Sequence, residues 1–183
     1  MKKYEFTGET KEIRLLFRTA TLHRIRATVA FGIVEVGDLG GWIEKEENLS
    51  HEGKAWVWGD AKVCGDAKVW GNAEVWGNAE VWGNAEVCGD AKVWGDAEVF
   101  SASHVLVIGA IGSRNDFTTF YRDKDNEITV KCGCFLGKID RFLEKVTQTH
   151  GDSKYALVYR AAVEVAKLQI DLSGEAPKDA DEE

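Results

Sequence analysis

A chain of 183 residues, 44% of them hydrophobic, can build one repeat domain with modest flanking elements but not two large domains. Its net charge of −8 excludes a general nucleic-acid binder, whose affinity would come mostly from neutralising phosphates. No run of about 18 apolar residues is present, and Met1-Lys2-Lys3 leads into Tyr4 and Glu5 rather than an apolar signal core, so no membrane association is expected and the expected location is cytoplasmic.

Residues 1–38 read as an N-terminal β segment, with strand-like pieces at 4–7, 13–17 and 22–31. In the last piece Leu22, Arg24, Arg26 and Thr28 share one face while His23, Ile25, Ala27 and Val29 share the other, the period of a half-exposed strand. The basic residues here admit two readings. They form a solvated basic face on a small sheet, or Arg14, Arg18, Arg24 and Arg26 meet an anionic ligand through their forked donors.

The turn cluster Gly37-Asp38-Leu39-Gly40-Gly41-Trp42 opens a repeat over 39–112. From Gly53 to Phe100 one six-residue unit, of the type Gly-Asp/Asn-Ala-Lys/Glu-Val-Trp, is written eight times without insertion. Such units bury their apolar positions only by stacking on their neighbours. Ala and Val, two apart, point to one side of a short strand and line the interior; Lys or Glu and Trp point outward, and Gly with Asp or Asn makes the corner. Upstream, Ile43 and Leu49 fall in the Ala slot and Asn48 in the Asp/Asn slot; downstream, Ser103 falls in the Ala slot and Val105 and Ile111 in the Val slot.

Residues 113–172 read as a hairpin, 117–122 and 128–135 around Asp123-Lys124-Asp125-Asn126, followed by a two-helix cap. Ile139, Phe142, Leu143 and Val146 mark the first helix, which Gly151 ends. Asp152 or Ser153 caps the second, whose stripe is Tyr155, Val158, Tyr159, Ala162, Val163 and Ala166. The helices are expected to pack on each other and on the solenoid end. Residues 173–183 form an acidic tail, expected to be disordered.

The pairs Val63 with Ala67, Val69 with Ala73, Val75 with Ala79, Val81 with Ala85, Val87 with Ala91 and Val93 with Ala97 resemble the hexapeptide-repeat left-handed β-helix family. The resemblance implies a mainly β fold, three units per triangular coil, about four coils, left-handed winding, and side-by-side trimers. The opener 37–44 with 47–50, and the stretch from Cys132-Gly133-Cys134-Phe135 through Thr149-His150-Gly151-Asp152, are similar to uncharacterised phage and prophage proteins, which implies a viral origin in a bacterial host.

In the slot after Val this chain departs from the family. It places Trp58, Cys64, Trp70, Trp76, Trp82, Cys88, Trp94 and Phe100 where a small or acidic residue is usual. At three units per coil these stack about 4.8 Å apart into the ladders Trp58/Trp76/Trp94, Cys64/Trp82/Phe100 and Trp70/Cys88/Leu106. The all-Trp ladder would expose on the order of 450 Å² of apolar surface if bare. Another subunit, the flanking hairpin and helices folding back, a flat-ring ligand, or self-stacking beside Lys and Glu stems would each cover it.

The four cysteines are expected to stay reduced, since Cys64 and Cys88 fall on different faces and Cys132-Gly133-Cys134 closes poorly on itself. No second ligand pair stands at zinc spacing near Cys132 and Cys134, the corner Asp/Asn files do not converge as calcium requires, and no cofactor is implied. Many members of the resembled family are acyltransferases with a His base, for which His104, in an outward slot near Ser101 and Ser103, is the candidate; a solvated His104 is the plainer reading. His51 falls in an inward slot, and His150 reads as a helix-end group. The expectation is a non-catalytic, oligomeric β-helix, a trimer by resemblance, that binds a host protein or a small anionic ligand. One form of it is a phage anti-defence factor that sequesters a nucleotide signal or blocks a host immune protein. The alternatives are an acyl-CoA-dependent acyltransferase and a purely structural assembly protein.

Overall fold

The computed structural model describes residues 2–15 and 18–173. The tail from residue 174 onward and the end of the expected 13–17 strand lie outside the described residues. Strands β1 (Tyr4–Leu15) and β2 (Arg18–Ala27) form one antiparallel hairpin, so the first two strand-like pieces belong to a single strand. The expected two-residue alternation in β2 is broken. Ala20 and Leu22 are buried, then Ile25 and Ala27. A register shift between Arg24 and Arg26, against β3 (Leu39–Ile43), exchanges the faces there.

β3 is the joint of the molecule, pairing antiparallel with β2 on one side and parallel with β5 on the other. It opens a β-solenoid of about three turns made from the two-residue strands β4 to β11 (Trp56–Val57, Lys62–Val63, Lys68–Val69, Glu74–Val75, Glu80–Val81, Glu86–Val87, Lys92–Val93 and Glu98–Val99). The strands stack in parallel on three faces, β3-β5-β8-β11, β4-β7-β10, and β6-β9 extended by a bridge from Leu49 to Val69. Partners on neighbouring turns are 18 residues apart, as in Asn72 and Asp90, so three units make one turn.

Every inward Ala and Val from Ala61 to Val99 is at most 1% exposed. The corner glycines hold positive φ, 75° at Gly71 for example, and a Cβ there would lie 3.0 Å from the Gly89 nitrogen of the next turn. At the corners Asn72 Nδ2 donates to Asp90 Oδ1 (3.1 Å) and Asn78 Nδ2 to Asp96 Oδ1 (3.2 Å). Alternating amide and carboxylate therefore bond along the corner file. The outward charges pair the same way, Lys62 with Glu80 and Lys92 with Glu74.

The first turn corrects the phase. It is two residues longer than the rest, with Ile43 paired to Val63 and Leu49 bridged to Val69, so both occupy the Val slot rather than the Ala slot. Gly41 stands opposite Ala61, where a Cβ would lie 2.6 Å from both Ala61 O and Val57 Cγ1. The buried Asn48 donates from its amide to Gly65 O and Ala67 O.

The far end is also corrected. The repeat stops at Phe100, because Ser101-Ala102-Ser103-His104 lacks the corner glycine and winds into a 3-10 turn, Ala102–His104. Val105 and Ile111 do not continue the coil. They lie in β12 (Val105–Ile111), which pairs antiparallel with β13 (Asp116–Arg122), followed by β14 (Ile128–Cys132) and β15 (Phe135–Lys138). Helices α1 (Ile139–His150) and α2 (Lys154–Gln169) pack on this sheet, burying Phe142, Val146, Tyr159 and Val163 against Phe120, Ile128 and Val130. Val158, expected in the buried stripe of α2, is exposed, since its side of the helix faces away from the sheet.

Both ends of the coil are closed by side chains. Tyr121 Oη donates to Trp94 O (2.9 Å) and accepts from Trp94 N–H (3.3 Å), and Thr119 Oγ1 accepts from Lys92 N–H (3.0 Å). At the other end Tyr4 Oη donates to Leu49 O (2.9 Å) and Lys3 Nζ to Ala55 O (2.7 Å). Burial pushes the Lys3 ammonium down to about 8. Tyr121→Phe removes both bonds to Trp94 and leaves its amide and carbonyl unpaired. The expected loss is about 1–3 kcal/mol, read as a lower urea midpoint at unchanged slope.

Candidate functional site

The outward slot after Val builds the stacks that its spacing implies. Trp58 lies on Trp76 with centroids 4.2 Å apart at 15°, and Trp76 on Trp94 at 5.3 Å and 40°. Trp76 Nε1 donates to Glu74 Oε2 (3.0 Å), whereas the Nε1 atoms of Trp58 and Trp94 are buried with no hydrogen-bond partner among the described residues.

The chain itself covers both ends of this ladder. Lys131 Nζ sits 4.2 Å above the Trp94 ring, a cation–π contact. At the other end Trp56 meets Trp58 edge-on at 6.4 Å and is itself packed by Phe31 at 5.4 Å. Trp56 stands in the slot that holds Lys or Glu elsewhere, yet is 1% exposed because the N-terminal segment folds over it.

The second ladder is capped in the same manner. Trp82 packs on Phe100 (5.1 Å), Arg122 lies over the Phe100 ring (4.6 Å), and His104 meets that ring edge-on (4.2 Å). Cys64 is buried, and burial pushes its thiol up to about 12. The third ladder is incomplete: Leu106 leaves with β12 to pair with Phe120, and Trp70 remains 45% exposed.

Next to the first ladder opens a cleft of about 220 Å³. Three 18-residue files line it, Lys54/Asn72/Asp90, Trp56/Glu74/Lys92 and the Trp58 end of the ladder, and Gly32, Ile33 and Val34 form its outer lip. Lys54, Asn72, Glu74, Asp90 and Lys92 were not picked out as site residues from the sequence. The interval that found the tryptophans would have found them too, but their residue types, read singly, say only solvated corner.

The arginines are placed elsewhere. Arg18 makes a two-pronged pair with Glu44, Arg26 pairs with Glu5 (2.6 Å), and Arg24 stacks on Trp42 (5.2 Å) with Asp60 at 3.8 Å. Arg14 is exposed on β1. None of them lines the cleft, so the structure does not join arginines and the Trp58 ladder into one site. The pairing lowers the Glu44 carboxyl, with its bond to Arg18 the largest cause.

His104 is not the solvated outward residue of the sequence reading. It is 2% exposed, and its Nδ1 accepts from Phe100 N–H at 3.4 Å. Burial, then Arg122, lowers its pKa, which suits an uncharged acceptor at the coil end. His51 stacks on Tyr4 (4.3 Å) and accepts from Lys3 N–H at Nδ1 (3.1 Å). His150, at the end of α1, stacks on Tyr159 (5.8 Å).

No protein-family model matches the chain, and no curated protein matches it significantly. Among the described residues no cluster of three or more His, Cys, Asp or Glu could hold a metal ion, and no helix is long and apolar enough to cross a membrane. The arrangement thus offers a polar, charge-balanced cleft backed by indole rings, suited to holding a molecule.

The two kinds of outward tryptophan separate in a simple comparison. Trp76→Ala removes two ring contacts and the bond to Glu74, and is expected to cost about 3 kcal/mol. Trp70→Ala, on the incomplete ladder, should cost under about 1 kcal/mol. Chemical denaturation of both variants checks the difference.

Proposed function

We propose that this protein is a non-catalytic binding protein, a left-handed β-helix acting as a homo-oligomer, whose cleft beside Trp58 takes a small anionic ligand with a flat ring. The observation that carries the reading is the cleft itself, where two ammonium groups, Lys54 and Lys92, offset by the carboxylates of Glu74 and Asp90, stand beside an indole stack. An anionic group would draw Lys92 from Glu74, 3.5 Å away, and a flat ring would lie against Trp58. The similarity of the flanking stretches to phage and prophage proteins gives the proposal a concrete form: an anti-defence factor that sequesters a nucleotide signal in the cytoplasm of a bacterial host.

A second reading, capture of a protein partner such as a host immune protein or a further subunit, is favoured by the outward face of α2. Leu157, Val158, Val165 and Leu168 are 59%, 40%, 48% and 89% exposed along it. The acyltransferase reading draws less support, since its candidate base His104 is 2% exposed and accepts from Phe100 N–H. The purely structural reading accounts for the coil but leaves the cleft unused.

Thermal unfolding with cyclic nucleotides, ADP-ribose-type nucleotides and acyl-CoA tests the first reading. A ligand at about 100 times its Kd adds about 2.7 kcal/mol, hence roughly 5–10 °C in Tm at this size. One nucleotide should give such a shift and lose it in Lys54→Ala/Lys92→Ala; no shift with any nucleotide would sink the sequestration reading.

The oligomer is tested by native mass spectrometry, where the mass should be a multiple of 20.3 kDa, three chains by the trimer expectation. If α2 is the contact, Leu168→Glu gives monomer. A wild-type monomer removes self-association from the proposal.

A further inference from the structure

The C-terminal sheet gathers, at one end, a set of polar groups that neither the coil nor the tryptophan cleft uses. β12 leads into the turn 112–115 and β14 into the two-residue turn Gly133-Cys134, so both turns lie at the same end of the sheet. Two glycines show how tightly side chains press onto these turns. A Cβ on Gly112 would lie 1.9 Å from Tyr159 Oη, and one on Gly133 would lie 1.6 Å from Arg114 Nη2. Both also hold positive φ, 73° and 55°, so each position is closed to a side chain twice over.

The Arg114 guanidinium therefore rests against the backbone between Cys132 and Cys134, and it interacts with both sulfurs. Partial desolvation acts against its charge, but the interactions with the two sulfurs outweigh that and raise its pKa. Cys132 is buried; its sulfur accepts from Thr118 Oγ1 at 3.3 Å and lies 4.0 Å from Tyr159 Oη. Cys134, by contrast, is exposed. The Arg114 guanidinium at this turn, with the Lys131 ammonium donating to Gly133 O beside it, draws an approaching oxyanion.

We propose that Arg114 and the Cys132-Gly133-Cys134 turn form a nucleophilic thiol site, in which Cys134 attacks electrophiles that carry a carboxylate or phosphate while Arg114 holds the anionic group. In the reaction the Cys134 sulfur, having released its proton to solvent, forms a bond to the electrophilic carbon, and the leaving group departs with its electron pair. Cys132 does not react: held by Thr118 and Tyr159, it positions the guanidinium from the inner side.

Iodoacetate and iodoacetamide deliver the same reaction with and without the carboxylate, and iodide leaves from each. The folded full-length protein is treated with either reagent, and alkylation at Cys134 is followed by peptide mass spectrometry, with the urea-unfolded chain as reference. The iodoacetate-to-iodoacetamide rate ratio at Cys134 should exceed the unfolded value by about tenfold, the worth of one charge-assisted hydrogen bond. Arg114→Gln should return the ratio to the unfolded value without abolishing the iodoacetamide reaction. In the wild-type protein, inorganic phosphate should slow iodoacetate but not iodoacetamide, a readout that does not depend on the variant folding. A ratio equal to that of the unfolded chain, or a phosphate effect equal for both reagents, overturns the proposal.

Discussion

A coil of parallel two-residue strands satisfies its backbone only by stacking, so its first and last turns each present an open ring of amides and carbonyls. Most of what lies outside the repeat closes those rings. On the N-terminal side β2 and β3 continue one face as an antiparallel sheet, while Tyr4 and Lys3 reach the carbonyls of Leu49 and Ala55 on the others. On the C-terminal side Thr119, Tyr121 and His104 take amides of the last turn, and backbone joins in where Ala97 bridges Asp123 and Lys124 N–H donates to Asp96 O. A buried lysine and a buried histidine are costly in general. Here each is kept because a backbone group would otherwise be orphaned, and burial lowers the pKa of both.

The same closure deals with the aromatic ladders. A stack of outward rings would leave its end faces open to solvent. Trp94 is met by Lys131 and Phe100 by Arg122 and His104 from the C-terminal flank, and Trp58 by Trp56 of the first repeat unit, itself under Phe31 of the N-terminal flank. The cations sit over ring faces, where the quadrupole is negative. The flanks thus both end the hydrogen-bond ladder and cover the apolar one. Of the covers weighed from the sequence, the chain's own flanks and self-stacking are seen on the rings, while the cleft leaves room for a ligand beside them.

How far the sequence could be read follows from this division. Inside 53–100 the environment of every residue repeats, and a period is legible from one chain: the Ala and Val interior, the corner files and the order of the ladders follow from it. Outside, each residue answers to a partner far away in the sequence. Six-residue phase extended through 50–54 puts Ile43 and Leu49 in the Ala slot, and only the pairing of Ile43 with Val63 exposes the two extra residues. Val105 and Ile111 keep a coil-like pattern by accident of a plain apolar strand, and pairing with β13 takes them. His104 looked solvated because its slot points outward. Nothing local says that the chain leaves the coil there and buries it. The Arg14, Arg18, Arg24 and Arg26 set shows the converse: clustered in sequence, they are spread along a hairpin, and the pairs to Glu44 and Glu5 come from β3's end and the opposite strand.

A perfect repeat cannot by itself make a unique site, because it offers the same surface on every turn. Specificity has to enter where the repeat is broken. The cleft lies where it is broken first: Trp56 replaces a charged residue, Lys54 replaces an Asp or Asn, and the loop carrying Ile33 leans over them. The turn end of the C-terminal sheet lies wholly outside the repeat, and its glycines Gly133 and Gly112 leave the space that Arg114 and Tyr159 fill. The regular coil then serves as a rigid spacer whose 18-residue files hold side chains in line. The two irregular places are where both proposed sites lie.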